Sequence, residues 1–131
     1  MDKLMIEGTK STPEVNFDPD QNTLVIKGQS YPENPFAFYE PIMEWVKEYL
    51  SQLEKEASVV VELNIPYINT SSSKCFMVLL DLFDEAYINR NKRIKLTWYY
   101  DAGNESGLEC AEEFKEDLNF PFDIVEKAIP E

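Results

Sequence analysis

The sequence predicts a two-layer α/β sandwich, in which helices pack mainly on one face of a mixed sheet. After an N-terminal hairpin, strands and helices alternate along the chain, and such alternation is typical of parallel crossover connections. Nearly every predicted strand is apolar on one face only, as in Val59, Val61 and Leu63 against Glu62, whereas strands covered on both faces are continuously apolar. With 131 residues, 44% of them hydrophobic, we expect a single domain over residues 1–131.

The first third of the chain has the alternation of β-strands. Leu4 and Ile6 alternate with residues 3, 5 and 7, and Val15 and Phe17 alternate with the polar residues 14 and 16. Residues 18–22, DPDQN, are typical of a turn, and alternation resumes over residues 23–28. Two strands around such a turn predict a hairpin.

The first helix follows Asn34, a capping residue, and Pro35, which suits the first helical position. Apolar residues then recur at helical spacing as far as Leu53. Pro41 lies inside this pattern, where proline lacks the N–H that a helix needs. We therefore expect the first turn to be kinked or split off and the main helix to cover about residues 41–55.

The rest of the chain alternates regularly between predicted strands and helices. The predicted elements are a strand at 58–63, a loop at 64–69, a helix at about 71–87, a strand at 94–100, a helix at about 104–117 and a short last strand or tail after 120–122. Alternation places Trp98 and Tyr100 inside and Tyr99 outside. Trp98 and Phe114 are predicted to be core residues.

Composition argues against several classes of function. The formal net charge of −13 would repel nucleic acid and anionic membranes. Histidine is absent, which removes imidazole as a base and as a metal ligand. Cys75 and Cys110 form no CxxC pair, and four glycines are too few for a phosphate-binding loop. We expect a cytoplasmic protein without a metal or cofactor, since no leader or membrane-length apolar run occurs.

A run of hydroxyl residues opens the second predicted helix. It consists of Thr70, Ser71, Ser72 and Ser73 after Asn69. One interpretation is helix capping, which residue chemistry alone favours, although a cap requires only one such residue. The other is a phosphoacceptor, because a phosphate there would meet free amide groups and the positive end of the helix dipole.

Two other segments have alternative interpretations. The segment over 28–35 is either a plain strand-to-helix connection or a docking loop with Tyr31 and Glu33 exposed. The acidic third helix has a solvated face by default, although paired carboxylates such as Glu112 and Glu113 could serve in a hydrolytic enzyme. No surrounding set of substrate-binding residues supports that enzyme.

Five short motifs occur in a characteristic order along the chain. They are GTKSTP at 8–13, GQSYPEN at 28–34, YINTSS at 67–72, WYYDAGNE at 98–105, and EEFKED with FPF at 112–122. Together they resemble the SiaC-type regulatory phosphoproteins of bacterial biofilm control. The resemblance covers about residues 4–125, and the five motifs in order are more specific than any one of them.

The resemblance implies a variant of the STAS fold, the fold of anti-sigma factor antagonists, which agrees with the two-layer prediction. It also implies a regulatory cycle in which a serine/threonine kinase phosphorylates a residue at a helix start and a PP2C-type phosphatase removes the phosphate. The unmodified protein then binds and activates a diguanylate cyclase, in cyclic-di-GMP signalling. On this chain the acceptor falls on Thr70, with Ser71, Ser72 and Ser73 as neighbouring alternatives.

We therefore predict a non-enzymatic switch protein. Its predicted partner-binding residues are Asn69, Thr70, Ser71, Tyr31, Glu33 and Asn34. Two alternatives stay open: an anti-sigma factor antagonist acting on transcription, and a small enzyme that uses the carboxylates of Glu112 and Glu113.

Overall fold

The computed structural model describes residues 1–128, which form a six-stranded sheet and three helices. The elements are β1 (Leu4–Ile6), β2 (Glu14–Asp18), β3 (Thr23–Lys27), α1 (Pro35–Gln52), β4 (Ser58–Asn64), α2 (Thr70–Arg90), β5 (Arg93–Asp101), α3 (Glu105–Glu116) and β6 (Phe122–Lys127).

The strands lie in the sheet in the same order as in the sequence. β1, β2 and β3 form an antiparallel meander, and β3 to β6 are parallel to one another. The register aligns Leu24, Val61, Leu96 and Phe122 in one row across the parallel strands. The predicted hairpin and mixed sheet are confirmed.

One face of the sheet is buried and the other is open. Inward residues such as Val61 and Leu96 pack with the helices in one apolar cluster, whereas their neighbours Val60 and Lys95 are exposed on the opposite face. Trp98 is fully buried, as the alternation predicts. This one-sided arrangement confirms the predicted two-layer α/β sandwich.

Helix α1 differs from the prediction at both ends. It begins at Pro35 and ends at Gln52, and Pro41 neither splits off the first turn nor ends the helix. A proline inside a helix costs about 3 kcal/mol. Tyr39 and Ile42, on either side of it, are fully buried, and burying such side chains contributes about 1.5–3 kcal/mol each. Tertiary packing therefore outweighs the local cost of the proline.

Smaller differences occur towards the C-terminal end. Helix α2 begins at Thr70 and continues to Arg90, beyond the predicted bounds on both sides. Tyr99 and Tyr100 are both half-buried, whereas the alternation predicted Tyr99 outside and Tyr100 inside. The ring of Tyr99 is partly covered because the ammonium group of Lys127 lies over it. Of the short last strand or tail predicted after residues 120–122, the strand is confirmed as β6, at the edge of the sheet.

The parallel topology places the starts of α1, α2 and α3 at the same end of the sheet. Each helix follows a parallel strand, so each begins near the carboxyl ends of those strands. An asparagine caps every one of these starts: Asn34 for α1, Asn69 for α2 and Asn104 for α3.

Candidate functional site at the start of helix α2

The start of α2 is fixed by Asn69. Its side-chain oxygen accepts a hydrogen bond from the N–H of Ser72 at 2.9 Å, and its carbonyl accepts one from the N–H of Ser73 at 2.9 Å. Asparagine in this position satisfies one of the free amide groups of the first turn. Asn69 is therefore the N-cap of α2, and the hydroxyl residues after it are not needed for capping.

The four hydroxyl residues differ strongly in exposure. Thr70 and Ser71 are exposed, Ser73 is half-buried and Ser72 is fully buried. Within residues 1–128, the Oγ of Ser72 has no hydrogen-bond partner. The side chains of Thr70 and Ser71 are accessible in the folded chain, whereas that of Ser72 would first have to be uncovered.

The electrostatics of this helix start favour an anion. The first amide groups of an α-helix lack partners within the helix, and the dipole places partial positive charge there. The first turn of α2 contains no acidic residue. Lys74 is exposed and lies four residues after Thr70, hence on the same face one turn along.

Thr70 lies on the rim of a cavity of about 300 Å³ between α2 and α3. Residues on this cavity include Thr70, Ser73 and Lys74 of α2, and Cys110, Glu113 and Phe114 of α3. Burial, together with the charge of Glu113, raises the pKa of Cys110 to about 11. The thiol is therefore protonated near neutral pH and is a poor nucleophile.

The 28–34 turn lies directly beside this helix start. Ser30 donates its N–H to the carbonyl of Tyr67 at 2.8 Å and accepts from the N–H of Asn69 at 3.0 Å. The hydroxyls of Ser30 and Tyr39 are 2.6 Å apart in the interior, where burial raises the pKa of Tyr39 to about 12. Gly28 begins the turn with a φ of +123°, which only glycine adopts easily.

The predicted docking residues of this turn have distinct environments. Tyr31 is half-buried rather than exposed, because its ring packs edge-on against Tyr67 at 5.9 Å between centroids. Glu33 is exposed. Asn34 is exposed, but its side-chain oxygen accepts from the N–H of Ala37 at 3.1 Å and caps α1.

Asn104 is a site residue that the sequence analysis did not identify. Its side chain donates to the carbonyl of Pro66 at 3.0 Å and accepts from the N–H of Gly107 at 3.0 Å. The start of α3 is therefore tied to the loop that leads into α2. The recurrence of asparagine before all three helices was the available signal.

The two carboxylates considered for a hydrolytic enzyme, Glu112 and Glu113, are both exposed on α3. Within residues 1–128, no three His, Cys, Asp or Glu side chains are grouped so that they could hold a metal ion. The same residues include no helix with the length and apolar character needed to span a bilayer.

Residues 6–127 match the family described as SiaC family regulatory phosphoprotein. The chain belongs to the SiaC family. It is 40% identical over 124 residues to an uncharacterized protein of Pseudomonas aeruginosa, covering 95% of this chain and 96% of that one. The sequence-based family resemblance is confirmed.

Solved SiaC structures share the fold of this SiaC-family chain. Apo-SiaC from Pseudomonas aeruginosa has 38% identity and a TM-score of 0.88, covering 95% of this chain and 99% of that one. SiaC has also been solved in complex with the diguanylate cyclase SiaD, which it activates. That SiaC matches with 39% identity and a TM-score of 0.88, over 95% of this chain and 99% of its own.

Proposed function

We propose that this SiaC-family chain is a non-enzymatic cytoplasmic switch that binds and activates a diguanylate cyclase when Thr70 is unphosphorylated. A serine/threonine kinase adds the phosphate and ends the binding, and a PP2C-type phosphatase removes it. One observation carries the proposal: Thr70 is an exposed hydroxyl residue at the first position of a 21-residue helix whose cap is a different residue.

The chain itself can accommodate the phosphate. Phosphothreonine carries about −1.5 to −2 charge at neutral pH. At Thr70 that charge would lie at the positive end of the α2 dipole, near amide donors of the first turn. Lys74, one turn along, supplies a matching cation on the same face. Modification should therefore leave the fold intact.

A bound partner cannot accommodate the phosphate equally well. A neutral hydroxyl packed against a partner is desolvated at modest cost, whereas an unpaired phosphate is not. The added charge also increases the repulsion between this chain, whose formal net charge is already −13, and any acidic partner surface. The modification thus removes binding without any rearrangement of the backbone.

The proposed docking surface joins the start of α2 to the neighbouring turn. It consists of Asn69, Thr70, Ser71, Tyr31, Glu33 and Asn34. The hydrogen bonds between Ser30 and the loop before α2 hold these two segments together. Support for a cyclase as the partner comes from the related SiaC that was solved with SiaD.

The test measures binding and cyclic-di-GMP synthesis with the host's purified diguanylate cyclase. Wild type, Thr70→Ala, Thr70→Glu and the matched control Ser71→Ala are each assayed before and after kinase treatment. We expect wild type and Ser71→Ala to lose binding on phosphorylation. Thr70→Ala should bind throughout, and Thr70→Glu should fold but bind weakly.

Each failure points to a different error. Loss of binding by kinase-treated Thr70→Ala places the switch on Ser71 or Ser73. Full binding after stoichiometric phosphorylation at Thr70 refutes the mechanism. Recovery of an anti-sigma factor instead of a cyclase from the native host identifies the alternative, a transcriptional antagonist.

A further inference from the structure

Strand β6 leaves one edge of the described sheet without a neighbouring strand. β6 is the last strand in the sheet order and has six residues, whereas β1 at the opposite edge has three. An edge strand presents backbone donors and acceptors that another strand can pair with. Side chains of Asp123, Val125 and Lys127 lie exposed along the open face of the sheet, and Val125 is 40% exposed.

The hydrogen bonds between β5 and β6 show which backbone groups point outwards. Leu96 donates to the carbonyl of Pro121 at 2.9 Å, and Ala102 donates to that of Lys127 at 2.8 Å. Alternate residues of a strand direct their N–H and C=O groups to the same side. Odd-numbered residues of β6 therefore bond to β5, and Phe122, Ile124 and Glu126 direct theirs to the free edge.

We infer that β6 pairs antiparallel with β6 of a second copy of this chain, about a two-fold axis at Val125. In this register Ile124 of one copy and Glu126 of the other exchange backbone hydrogen bonds through their outward-pointing groups. Val125 lies opposite Val125 of the second copy. Asp123 of each copy lies opposite Lys127 of the other, which gives two opposite-charge pairs. The result is one continuous twelve-stranded sheet with closed two-fold symmetry.

Side-chain chemistry selects this register among those that the backbone permits. A two-fold axis at Ile124 would place Asp123 opposite Val125, so that Asp123 would have no opposite charge across the strand pair. An axis at Glu126 would set two like charges directly opposite each other, which destabilises a strand pair. Charges on an edge strand ordinarily discourage pairing, but the axis at Val125 converts them into two opposite-charge pairs.

The proposed dimer does not depend on the function of Thr70. β6 lies two strands away from β4, whose carboxyl end leads into α2. The sheet edge and the start of α2 are therefore separate surfaces, and a dimer can present two copies of the switch site. Loss of the dimer and loss of cyclase binding are distinguishable results.

A disulfide test reports the register directly. In a Cys75→Ser/Cys110→Ser background, Val125→Cys is incubated with oxidised glutathione as the oxidant. Non-hydrogen-bonded antiparallel residues are about 4.5 Å apart at Cα, which suits a disulfide. The control Glu126→Cys is also exposed on the same strand, but it faces Ile124 of the second copy instead of itself. We expect crosslinking at least roughly tenfold faster at 125 than at 126. Equal rates overturn the register.

A charge-swap test by sedimentation equilibrium at physiological salt is independent of cysteine. Asp123→Lys sets Lys against Lys127 and should raise the dimer dissociation constant by on the order of tenfold. The double variant Asp123→Lys/Lys127→Asp restores the pairs and should restore the dimer. Both variants carry the same change beside Lys95, the intrachain partner of Asp123 at 3.8 Å. A monomeric wild type at millimolar concentration, or no rescue, refutes the proposal.

Discussion

Replacing Trp98 by phenylalanine should cost almost no stability, although the side chain is fully buried. The indole packs against Phe76, Phe114 and Phe122, with centroids 5.6–6.4 Å apart. Its Nε1–H is buried and has no acceptor within residues 1–128. The phenylalanine variant loses about 1–2 kcal/mol of packing, but it removes an unsatisfied donor whose burial costs about 1–3 kcal/mol. The two effects offset each other, so we expect Trp98→Phe to lose no more than about 1 kcal/mol of stability.

Two reference variants give this prediction its scale. Trp98→Ala removes the whole ring and should cost about 3–5 kcal/mol, a large part of the roughly 5–15 kcal/mol that stabilises a domain. Trp45→Phe is the matched control, because the Nε1–H of Trp45 donates to the carbonyl of Asp2 at 3.0 Å. It loses a real hydrogen bond, worth about 0.5–1.5 kcal/mol, without relieving any buried donor.

The assay is urea unfolding followed by far-UV circular dichroism, since tryptophan fluorescence changes with the substitutions themselves. Slopes of the transitions must agree before free energies are compared. If Trp98→Phe loses 3 kcal/mol or more on this scale, its Nε1–H has a partner, such as a buried water, and the reasoning fails.

Three further predictions concern polar groups. Asp84 is buried and accepts from the N–H groups of Asn119 at 2.7 Å and Phe120 at 3.3 Å, so Asp84→Ala should cost about 2–4 kcal/mol in urea unfolding; an unchanged midpoint contradicts it. Glu33→Gln should weaken cyclase binding in a titration at an unaltered melting temperature, and full affinity would remove Glu33 from the proposed interface. For Asp18, desolvation raises the pKa, but amide hydrogen bonds and Lys3 together lower it below its ordinary value. Its stabilising contribution is present at neutral pH and is lost as pH falls through that lowered pKa, so acid unfolding of Asp18→Asn should be less steep.

Periodicity predicted most of the fold because the sheet has a single buried face. Leu24, Val61 and Leu96 reveal their side of the sheet by simple alternation. Pro41 misled the prediction because its local cost is visible in the sequence, whereas the burial of Tyr39 that offsets it depends on α2 and on Ser30.

The candidate site was predictable only in part. The hydroxyl run marks the helix start, but the burial of Ser72 and the exposure of Thr70 depend on which face of α2 packs inwards. Contact between Tyr31 and Tyr67 joins segments from two crossovers. Asn104 binds Pro66 across 38 positions, a distance at which no local pattern carries information.

The strand order also bears on synthesis at the ribosome. Because each strand pairs with the one made just before it, the sheet can grow in the direction of translation without waiting for distant segments. Pairing each strand with its predecessor limits the entropy lost in closing loops, compared with a sheet whose neighbouring strands are more distant in the sequence. β6 is added last, and until it leaves the exit tunnel the apolar side of β5, with Trp98, lacks the cover that Phe122 provides. A nascent chain that stalls before residue 122 would therefore expose this apolar surface and depend on a chaperone to cover it.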